Sequence, residues 1–294
     1  MKVRFAEIDG HQTRFLCEGS GPPLMLLQPI GHSGDVFIRN IEVLAASHTV
    51  IAPDLPGHGF SAAIDFGAQA PQSRTARHLG ALADHLGFEH YAVVGSSYGG
   101  LIAALMWFER PERIKELVVV GSGSVFHPPE LQRTVLKAVY ANASQAMANR
   151  TIASCRQRLA NICYSPASVS EEILLVQATY YALPDRFSAY QRTIQGLIDS
   201  VDDVKHGVHS RLEKLTALTL VITGRDDIRA KLDLVEQGCA RLPNAELAVF
   251  ERCGHLPYME YPARFNELVL DFLNRARGKS WRPAGPSSTS DIRA

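Results

Sequence analysis

Short apolar runs alternate with helix-like segments along most of this 294-residue chain, and no other feature restricts its fold as strongly. Nearly continuous apolar runs are typical of strands that are buried on both faces of a sheet. The clearest four are "PLMLLQ", "HYAVVG", "IKELVVVG" and "ALTLVITG". Because strands that alternate with helices form a parallel sheet covered on both sides, the pattern predicts an α/β fold with a doubly wound, mostly parallel sheet.

One long segment interrupts this alternation. Residues 125–211 carry helical patterns without strand-like runs, which predicts an all-helical insertion between two strands of the sheet. Within it, Ser168 and Glu171 have the spacing of a capping box, and Pro184 lies beyond the end of the helix that this box would start. We expect the insertion to form a cap over one end of the sheet and to cover a site there.

The end of the chain differs in composition from the rest. From residue 277 onward it is rich in Pro, Gly, Ser and Thr and has no periodic apolar face, so we expect a disordered tail. The predicted division is therefore a core at 1–124 and 212–276, a helical cap at 125–211 and a tail at 277–294.

Charge and cysteine content narrow the function classes. Lys and Arg number 30, as do Asp and Glu, so the chain has no excess positive charge to attract nucleic acid or an anionic membrane. Its five cysteines lack metal-ligand spacing, and their odd number favours reduced thiols over a disulfide framework. The start "MKVRFAEIDGHQ" has no apolar signal-peptide core, and no apolar run could span a membrane. We expect a cytoplasmic protein that acts on a small molecule without a metal or cofactor; homo-oligomerisation is left open.

The stretch "VVGSSYGG" joins a predicted strand to the helix-like segment "LIAALMWFER" and fits the pattern G-x-S-x-G. In this pattern the middle serine lies on a sharp strand-to-helix turn, and the glycines allow neighbouring backbone to approach it closely. The register makes Ser97 the exposed nucleophile and Ser96 a packing residue. A helix start with serine caps would look similar, but the strand before it and the helix after it favour the nucleophile.

A serine nucleophile needs a base, and the base needs a carboxylate to orient it. His255 lies between the last predicted strand and the last helix, at the same carboxyl edge of the sheet as Ser97. Asp226 and Asp227 both follow a strand directly, and either could orient a histidine or cap the next helix. We predict that Ser97, His255 and Asp227 form a catalytic triad in which Ser97 Oγ is within hydrogen-bonding reach of the His255 imidazole.

Several of these segments resemble the α/β-hydrolase family, and the resemblance covers nearly the whole chain from Val3 to Leu273. They are "LLQPIGHSG", "VIAPDLPGHGFS", "GSSYGG", "GRDD" and "RCGHLPYMEYPARFNELVLDFL". The resemblance implies a helical cap in the place of the predicted insertion. Dehalogenases and epoxide hydrolases of this family carry Asp at the position of Ser97, so the serine argues against both activities.

The resemblance also implies roles for individual residues. The family acid is the last residue of a G-x-x-D pattern, which is Asp227 in "GRDD". Two backbone N–H groups of an oxyanion hole are expected, the first from Tyr98, directly after the nucleophile. The second comes from the loop after "PLMLLQ"; since Pro29 has no N–H, it is assigned to Ile30.

Within the family, the chain's last part and the cap stretch "SVSEEILLVQATYY" look most like the meta-cleavage-product hydrolases, which cleave a carbon–carbon bond beside a ketone. Three positions depart from their pattern. Gln28-Pro29 replaces the usual His-Gly of the oxyanion loop, Gln177 replaces the cap arginine that holds the substrate carboxylate, and Leu256 replaces a tryptophan after the histidine. Arg186 or Arg192 could hold that carboxylate instead. The candidate substrate-binding residues are therefore Gln177, Arg186, Arg192 and Leu256.

The sequence therefore predicts a cofactor-free serine hydrolase that cleaves a small ester or lactone. Frequent Phe and Tyr in the cap favour a hydrophobic substrate. The alternatives are a carbon–carbon bond hydrolase of a meta-cleavage-type dienoate or diketone, a lyase or cofactor-free oxygenase that uses His255 as base, and a non-catalytic ligand receptor. If Arg186 and Arg192 both lay in solvent and the pocket wall were entirely apolar, carbon–carbon cleavage would be discarded.

Overall fold

A computed structural model describes residues 1–278, in which eight strands form one sheet. The strands are β1 (Lys2–Ile8), β2 (His11–Glu18), β3 (Pro23–Leu27), β4 (Thr49–Pro53), β5 (Tyr91–Ser96), β6 (Ile114–Val120), β7 (Leu218–Gly224) and β8 (Ala245–Phe250). Their order is β1-β2-β4-β3-β5-β6-β7-β8; β2 pairs antiparallel with β1 and β4, and the other neighbours are parallel. The predicted α/β fold with a mostly parallel sheet is confirmed.

Helices cover the sheet and form the insertion. They are α1 (Ile38–Ala45), α2 (Pro71–His85), α3 (Tyr98–Glu109), α4 (Gly123–Phe126), α5 (Pro129–Asn149), α6 (Ile152–Ala160), α7 (Glu171–Tyr181), α8 (Arg186–Asp199), α9 (Leu232–Cys239), α10 (Pro257–Glu260) and α11 (Pro262–Gly278). Among residues 1–278, none of the helices combines the length and the apolar composition of a membrane-spanning segment.

The central strands form the core because their side chains are apolar on both faces. All six residues of β5 are buried, as are six of the seven in β7. The helices that cover them are amphipathic: α2 begins with Pro71 at its first position and buries Leu79 and Leu82 against the core. This helix ends before Gly87, whose φ of +72° is the left-handed conformation that commonly ends a helix.

Helices α4 to α8 lie between the end of β6 and the start of β7. In this cap α5 packs against α6 and α8, and α8 also contacts α2 of the core. Val135 and Leu136 of α5 and Leu197 of α8 line a cavity together with Ser97. The cap therefore covers the carboxyl edge of the sheet at Ser97.

Two details differ from the sequence predictions. Helix α7 begins at Glu171 with Ser170 before it, because Ser168 ends a separate 3-10 turn and the extended Val169 divides that turn from the helix. A reciprocal capping box is formed instead by Thr151 and Ser154 at the start of α6. Positions 277 and 278 belong to α11, and the rest of the predicted tail lies outside the described residues.

Candidate active site

Five loops that follow parallel strands meet at one edge of the sheet. They are the loops after β3, β5, β6, β7 and β8, and those after β3, β5, β7 and β8 hold the four segments that the sequence singled out, around Ile30, Ser97, Asp227 and His255. Because carboxyl ends of parallel strands lie side by side, residues far apart in sequence come together here. Within residues 1–278 no cluster of three His, Cys, Asp or Glu side chains is placed to hold a metal ion.

Ser97 is the single residue between β5 and α3, and its backbone is strained. Its φ of 53° and ψ of −114° lie in a region that non-glycine residues rarely adopt. The turn is held by hydrogen bonds to the end of β6 and the loop after it: Ser97 N–H donates to the Val120 carbonyl at 2.8 Å, and Ser122 Oγ donates to the Ser97 carbonyl at 2.6 Å. A Cβ at Gly95 would overlap the backbone of Gly99, so this turn requires its glycine.

The His255 imidazole is bound to Asp227. Nδ1 lies 2.8 Å and 3.0 Å from the two carboxylate oxygens, and both side chains are buried. Oδ1 of Asp227 also accepts the backbone N–H groups of Arg229 at 2.7 Å and Ala230 at 3.1 Å, which fixes the plane of the carboxylate. With Nδ1 donating to the carboxylate, Nε2 is the nitrogen that can accept a proton. The Asp226 side chain is exposed and does not bind His255, and the backbone N–H of Asp226 donates to the Cys253 carbonyl.

Ser97 and His255 line one cavity, but the predicted hydrogen bond between them is not formed. His255 Nε2 is buried without a partner, and Ser97 Oγ has no hydrogen bond to any described residue. Catalytic hydrogen bonds are often long before substrate binds and shorten in the complex. Since a rotation about χ1 moves a serine hydroxyl, the two groups need no backbone movement to change their separation.

The two predicted oxyanion donors also line this cavity. Within residues 1–278 neither the Ile30 N–H nor the Tyr98 N–H donates to a protein acceptor. Tyr98 is the first residue of α3, where N–H groups have no acceptor within the helix and the helix dipole is positive. Both groups are therefore available to an anionic oxygen beside Ser97.

A second cavity adjoins the first. The cavity at Ser97 has a volume of about 30 Å³, and its neighbour, between α5, α8 and the loop after α8, has about 100 Å³. The two have five lining residues in common, which are Leu101, Ser124, Gln132, Leu136 and Leu197. A substrate longer than the first cavity can therefore extend beneath the cap.

None of the four predicted substrate-binding residues lines the cavity at Ser97. Gln177 is buried and donates to the Gly31 carbonyl at 3.1 Å, and Leu256 is buried at the start of α10. Arg186 donates to the Ser61 carbonyl of a core loop, whereas Arg192 is exposed. The orientations of the Gln177, Arg186 and Arg192 side chains follow from how α7 and α8 pack on the core, and sequence spacing does not specify that packing.

Arg229 is a positively charged residue that lines the cavity, and it is not among the site residues that the sequence predicts. Arg229 lines the cavity with Ser97, and its guanidinium has no hydrogen bond or ion pair with any described residue. Burial, followed by the positive charge of Arg158, lowers the pKa of Arg229 to about 10, so the group is protonated at neutral pH. Its position two residues after Asp227 was the available signal, because the loop that presents the acid also passes the site.

Known proteins resemble this chain over most of its length. A family model described as the alpha/beta hydrolase fold matches residues 22–262. A 2-hydroxy-6-oxononadienedioate/2-hydroxy-6-oxononatrienedioate hydrolase from Paraburkholderia phymatum is 32% identical over 274 residues, which cover 90% of this chain and 88% of that protein. The similarity therefore includes both the core and the cap.

Two solved structures extend the likeness. A mutant of the meta-cleavage product hydrolase CumD from Pseudomonas fluorescens IP01 has a TM-score of 0.76 at 24% identity, over 93% of this chain and 98% of that one. Est816, described as an N-acyl homoserine lactone degrading enzyme, has a TM-score of 0.69 at 26% identity, over 92% of this chain and 100% of that one. At this identity the likeness to CumD concerns the fold alone.

Proposed function

The chain belongs to the alpha/beta hydrolase fold family and is a hydrolase, and from this premise we propose that it cleaves a carbon–carbon bond. The proposed substrate is a meta-cleavage-type dienoate or diketone, which has a ketone at the bond to be broken and a carboxylate further along. Ser97 acts as nucleophile, His255 as base and Asp227 as the orienting carboxylate. The relatives are named as hydrolases, so the lyase, oxygenase and receptor alternatives have no support in them.

The observation that carries this proposal is that Arg229, whose guanidinium has no hydrogen bond or ion pair within residues 1–278, lines the same cavity as Ser97. A partly buried cation without a direct ion pair is costly, and an anionic ligand would offset that cost. Arg is suited to a carboxylate because its planar fork donates two parallel hydrogen bonds. Arg229 thus supplies the cationic contact that Gln177, Arg186 and Arg192 do not make in the cavity.

The order of the two leading functions changes as a result. The sequence favours ester or lactone hydrolysis, and carbon–carbon cleavage would be discarded if Arg186 and Arg192 both lay in solvent and the pocket wall were entirely apolar. Arg192 is exposed, but Arg186 is held by core carbonyls and the wall includes Arg229. Together with the relative that acts on dienedioates, this favours carbon–carbon cleavage.

In the first half of the proposed reaction Ser97 attacks the ketone. His255 Nε2 accepts the Ser97 proton, and the Ile30 and Tyr98 N–H groups bind the oxyanion of the tetrahedral adduct. The substrate reacts as its diketone tautomer, so that when collapse of the adduct breaks the carbon–carbon bond, the released electron pair is delocalised into the conjugated ketone of the leaving fragment. Arg229 holds the carboxylate of that fragment, and the proton on His255 is transferred to its carbon.

In the second half water hydrolyses the acyl-serine. His255 removes a proton from the water, which attacks the ester carbonyl, and the same two N–H groups bind the second oxyanion. Expulsion of Ser97 Oγ, reprotonated by His255, releases a carboxylic acid. One substrate and one water thus give one acid and one dienoate, with no oxidant or reductant.

Ester or lactone hydrolysis is the second candidate function. It is favoured because neither Gln177 nor Leu256 is placed to bind a substrate carboxylate. The Gln177 amide donates to the Gly31 carbonyl, and Leu256 is buried away from the cavity. The same triad and donors would serve, since an alkoxide is an easier leaving group than a carbanion. The likeness to a lactone-degrading enzyme adds to this candidate.

The test of the proposal compares a carboxylate substrate with a neutral one. Replacing Arg229 with glutamine is expected to raise KM for a 2-hydroxy-6-oxo-dienoate by about 10- to 100-fold, because a charge-assisted hydrogen bond contributes roughly 1.5–3 kcal/mol. The same variant should hydrolyse a neutral p-nitrophenyl ester with little change in kcat/KM. Steady-state kinetics on both substrates measures the difference.

Arg225→Gln is the matched control, because Arg225 lies in the same loop but is exposed and paired with Glu251 at 2.6 Å. It should leave both substrates unaffected. Equal KM values for the dienoate in Arg229→Gln and the unaltered enzyme would remove the basis of the proposal. Turnover of esters or lactones without any turnover of the dienoate would establish the second candidate instead.

A separate prediction concerns the oxyanion loop. Ile30→Pro removes a backbone N–H and should lower kcat by about 100-fold or more, since the loss of one oxyanion donor costs roughly 3 kcal/mol. Ile30→Val keeps the N–H and should alter kcat only slightly. If the two variants lost activity equally, the Ile30 side chain rather than its N–H would be the important group.

A further inference from the structure

The carbonyl oxygen of Gly31, in the loop after β3, is surrounded by side-chain donors from the cap. Arg158 Nη1 donates to it at 2.6 Å, Tyr181 OH at 2.9 Å and Gln177 Nε2 at 3.1 Å, and Tyr180 OH also donates to it. All four side chains are buried and lie in α6 and α7. We call these four residues the Gly31 clamp.

Arg158 binds a second carbonyl of the same loop. Its Nη2 donates to the Ile30 carbonyl at 3.0 Å, so one guanidinium spans two consecutive carbonyls. The side chain is buried, with the residue 3% exposed, and it has no carboxylate partner within residues 1–278. Because burial of a cation without a counter-charge costs several kcal/mol, packing alone does not account for a charge at this position.

The loop conformation is matched to the clamp. Gly31 has a φ of +69°, and a Cβ there would lie 2.8 Å from Arg158 Nη2 and 3.1 Å from the Tyr190 ring. Because peptide groups are planar, holding the carbonyls of Ile30 and Gly31 restricts the dihedral angles between them. The position of the Ile30 N–H beside Ser97 depends on the same segment.

The clamp also brings positive charge to the site. The pKa of the buried His32, next to Gly31, is held well below its ordinary value by burial and then by the charges of Arg158 and Arg229. His32 is therefore neutral, and the two arginines are the cations beside the cavity. Negative charge that develops on an oxyanion in a site of low dielectric is stabilised by such groups.

We infer that Arg158 is a positioning residue, which together with Gln177, Tyr180 and Tyr181 holds the oxyanion loop in its active conformation from the cap. Docking of the cap and assembly of the oxyanion hole are then one event. The inference rests on the proposed role of Ile30 as an oxyanion donor but not on which bond is cleaved. It also accounts for Gln177, which binds the loop rather than substrate.

The test is Arg158→Gln in the full-length enzyme, with Arg156→Gln as its control. We expect kcat to fall by about 100-fold, because a displacement of about 1 Å in a catalytic group has effects of this size. KM should change by less than about threefold, since no substrate contact is removed. Arg156 lies one half-turn earlier in α6, is 43% exposed and pairs with Glu171, so its substitution should leave kcat unchanged.

A second measurement separates positioning from general damage to the fold. Affinity for a trifluoromethyl ketone, which forms a tetrahedral adduct with Ser97, should fall in proportion to kcat. Affinity for a planar product acid should not change. A structural role alone would lower the melting temperature and leave the two affinities in their original ratio.

Unchanged kcat in folded Arg158→Gln would overturn the inference, as would a raised KM with unchanged affinity for the ketone inhibitor. If that variant fails to fold, Tyr180→Phe/Tyr181→Phe removes two donors at nearly constant volume and should show the same split between kcat and KM. Both measurements can be made with an ester. Failure to cleave the dienoate would therefore count against the proposed function and not against the clamp.

Discussion

Replacing Ser97 with alanine is expected to lower kcat by about 10⁴- to 10⁶-fold, the range found when the nucleophile of a comparable triad is removed. In the proposed reaction the hydroxyl oxygen of Ser97 forms the acyl intermediate, and within the described residues no other hydroxyl lies at the strained turn between β5 and α3. Residual hydrolysis would come from direct attack of water on the substrate, because the oxyanion donors still stabilise the adduct that forms. Steady-state kinetics and titration of the acyl-enzyme burst measure this loss.

Ser96 provides the matched control, since it is the same residue type one position earlier in the chain, but its side chain does not line the cavity. It is the last residue of β5 and is completely buried, so Ser96→Ala should reduce kcat by a few-fold at most. The unaltered enzyme and this variant should both show a burst. If the two alanine variants were equally inactive, the assignment of the nucleophile by the register of the turn would be wrong.

The second large effect is expected for Asp227→Asn, which should lower kcat by about 10⁴-fold, because the asparagine amide would stabilise the His255 tautomer that cannot act as base. The N–H groups of Arg229 and Ala230 hold Oδ1, so the amide of asparagine would place its carbonyl oxygen there. Its NH₂ group would then face His255 Nδ1 and donate to it. Nε2 would carry the ring proton and could no longer act as base.

Asp226→Asn tests this assignment, because it makes the same chemical change one residue away. Asp226 is exposed and its side chain does not contact His255, so kcat should remain close to that of the unaltered enzyme. The pH dependence of kcat/KM for each variant shows whether the base is affected. A larger loss in Asp226→Asn than in Asp227→Asn would contradict the assignment of Asp227 to the triad.

The cap shows where sequence patterns were sufficient and where they were not. Helical periodicity predicted helices in 125–211, but the start of α7 was misplaced because Ser168 and Glu171 have capping-box spacing across an extended residue. Helix α1 was not predicted at all. It has eight residues, and no side chain caps its first turn, so its sequence lacks a start signal.

The sequence by itself determined the sheet, the strand-to-helix turn at Ser97 and the residues at the strand ends. Strands that are apolar on both faces can be buried only in a covered parallel sheet, and the turn at Ser97 needs glycine at position 95, where a Cβ would overlap the backbone of Gly99 in the same turn. The parallel sheet then brings Asp227 and His255 to the same edge as Ser97. These are consequences of local geometry and of strand direction.

Only the tertiary structure decided which side chains of the cap and loops face the cavity. A helix can rotate or shift on the core without any change in its periodicity, and such a shift decides whether Gln177 reaches substrate or the Gly31 carbonyl. The same packing places Arg158 on that carbonyl and leaves Arg229 unpaired beside Ser97. Contacts between segments more than 100 residues apart depend on how whole surfaces fit together, and spacing within either segment does not encode that fit.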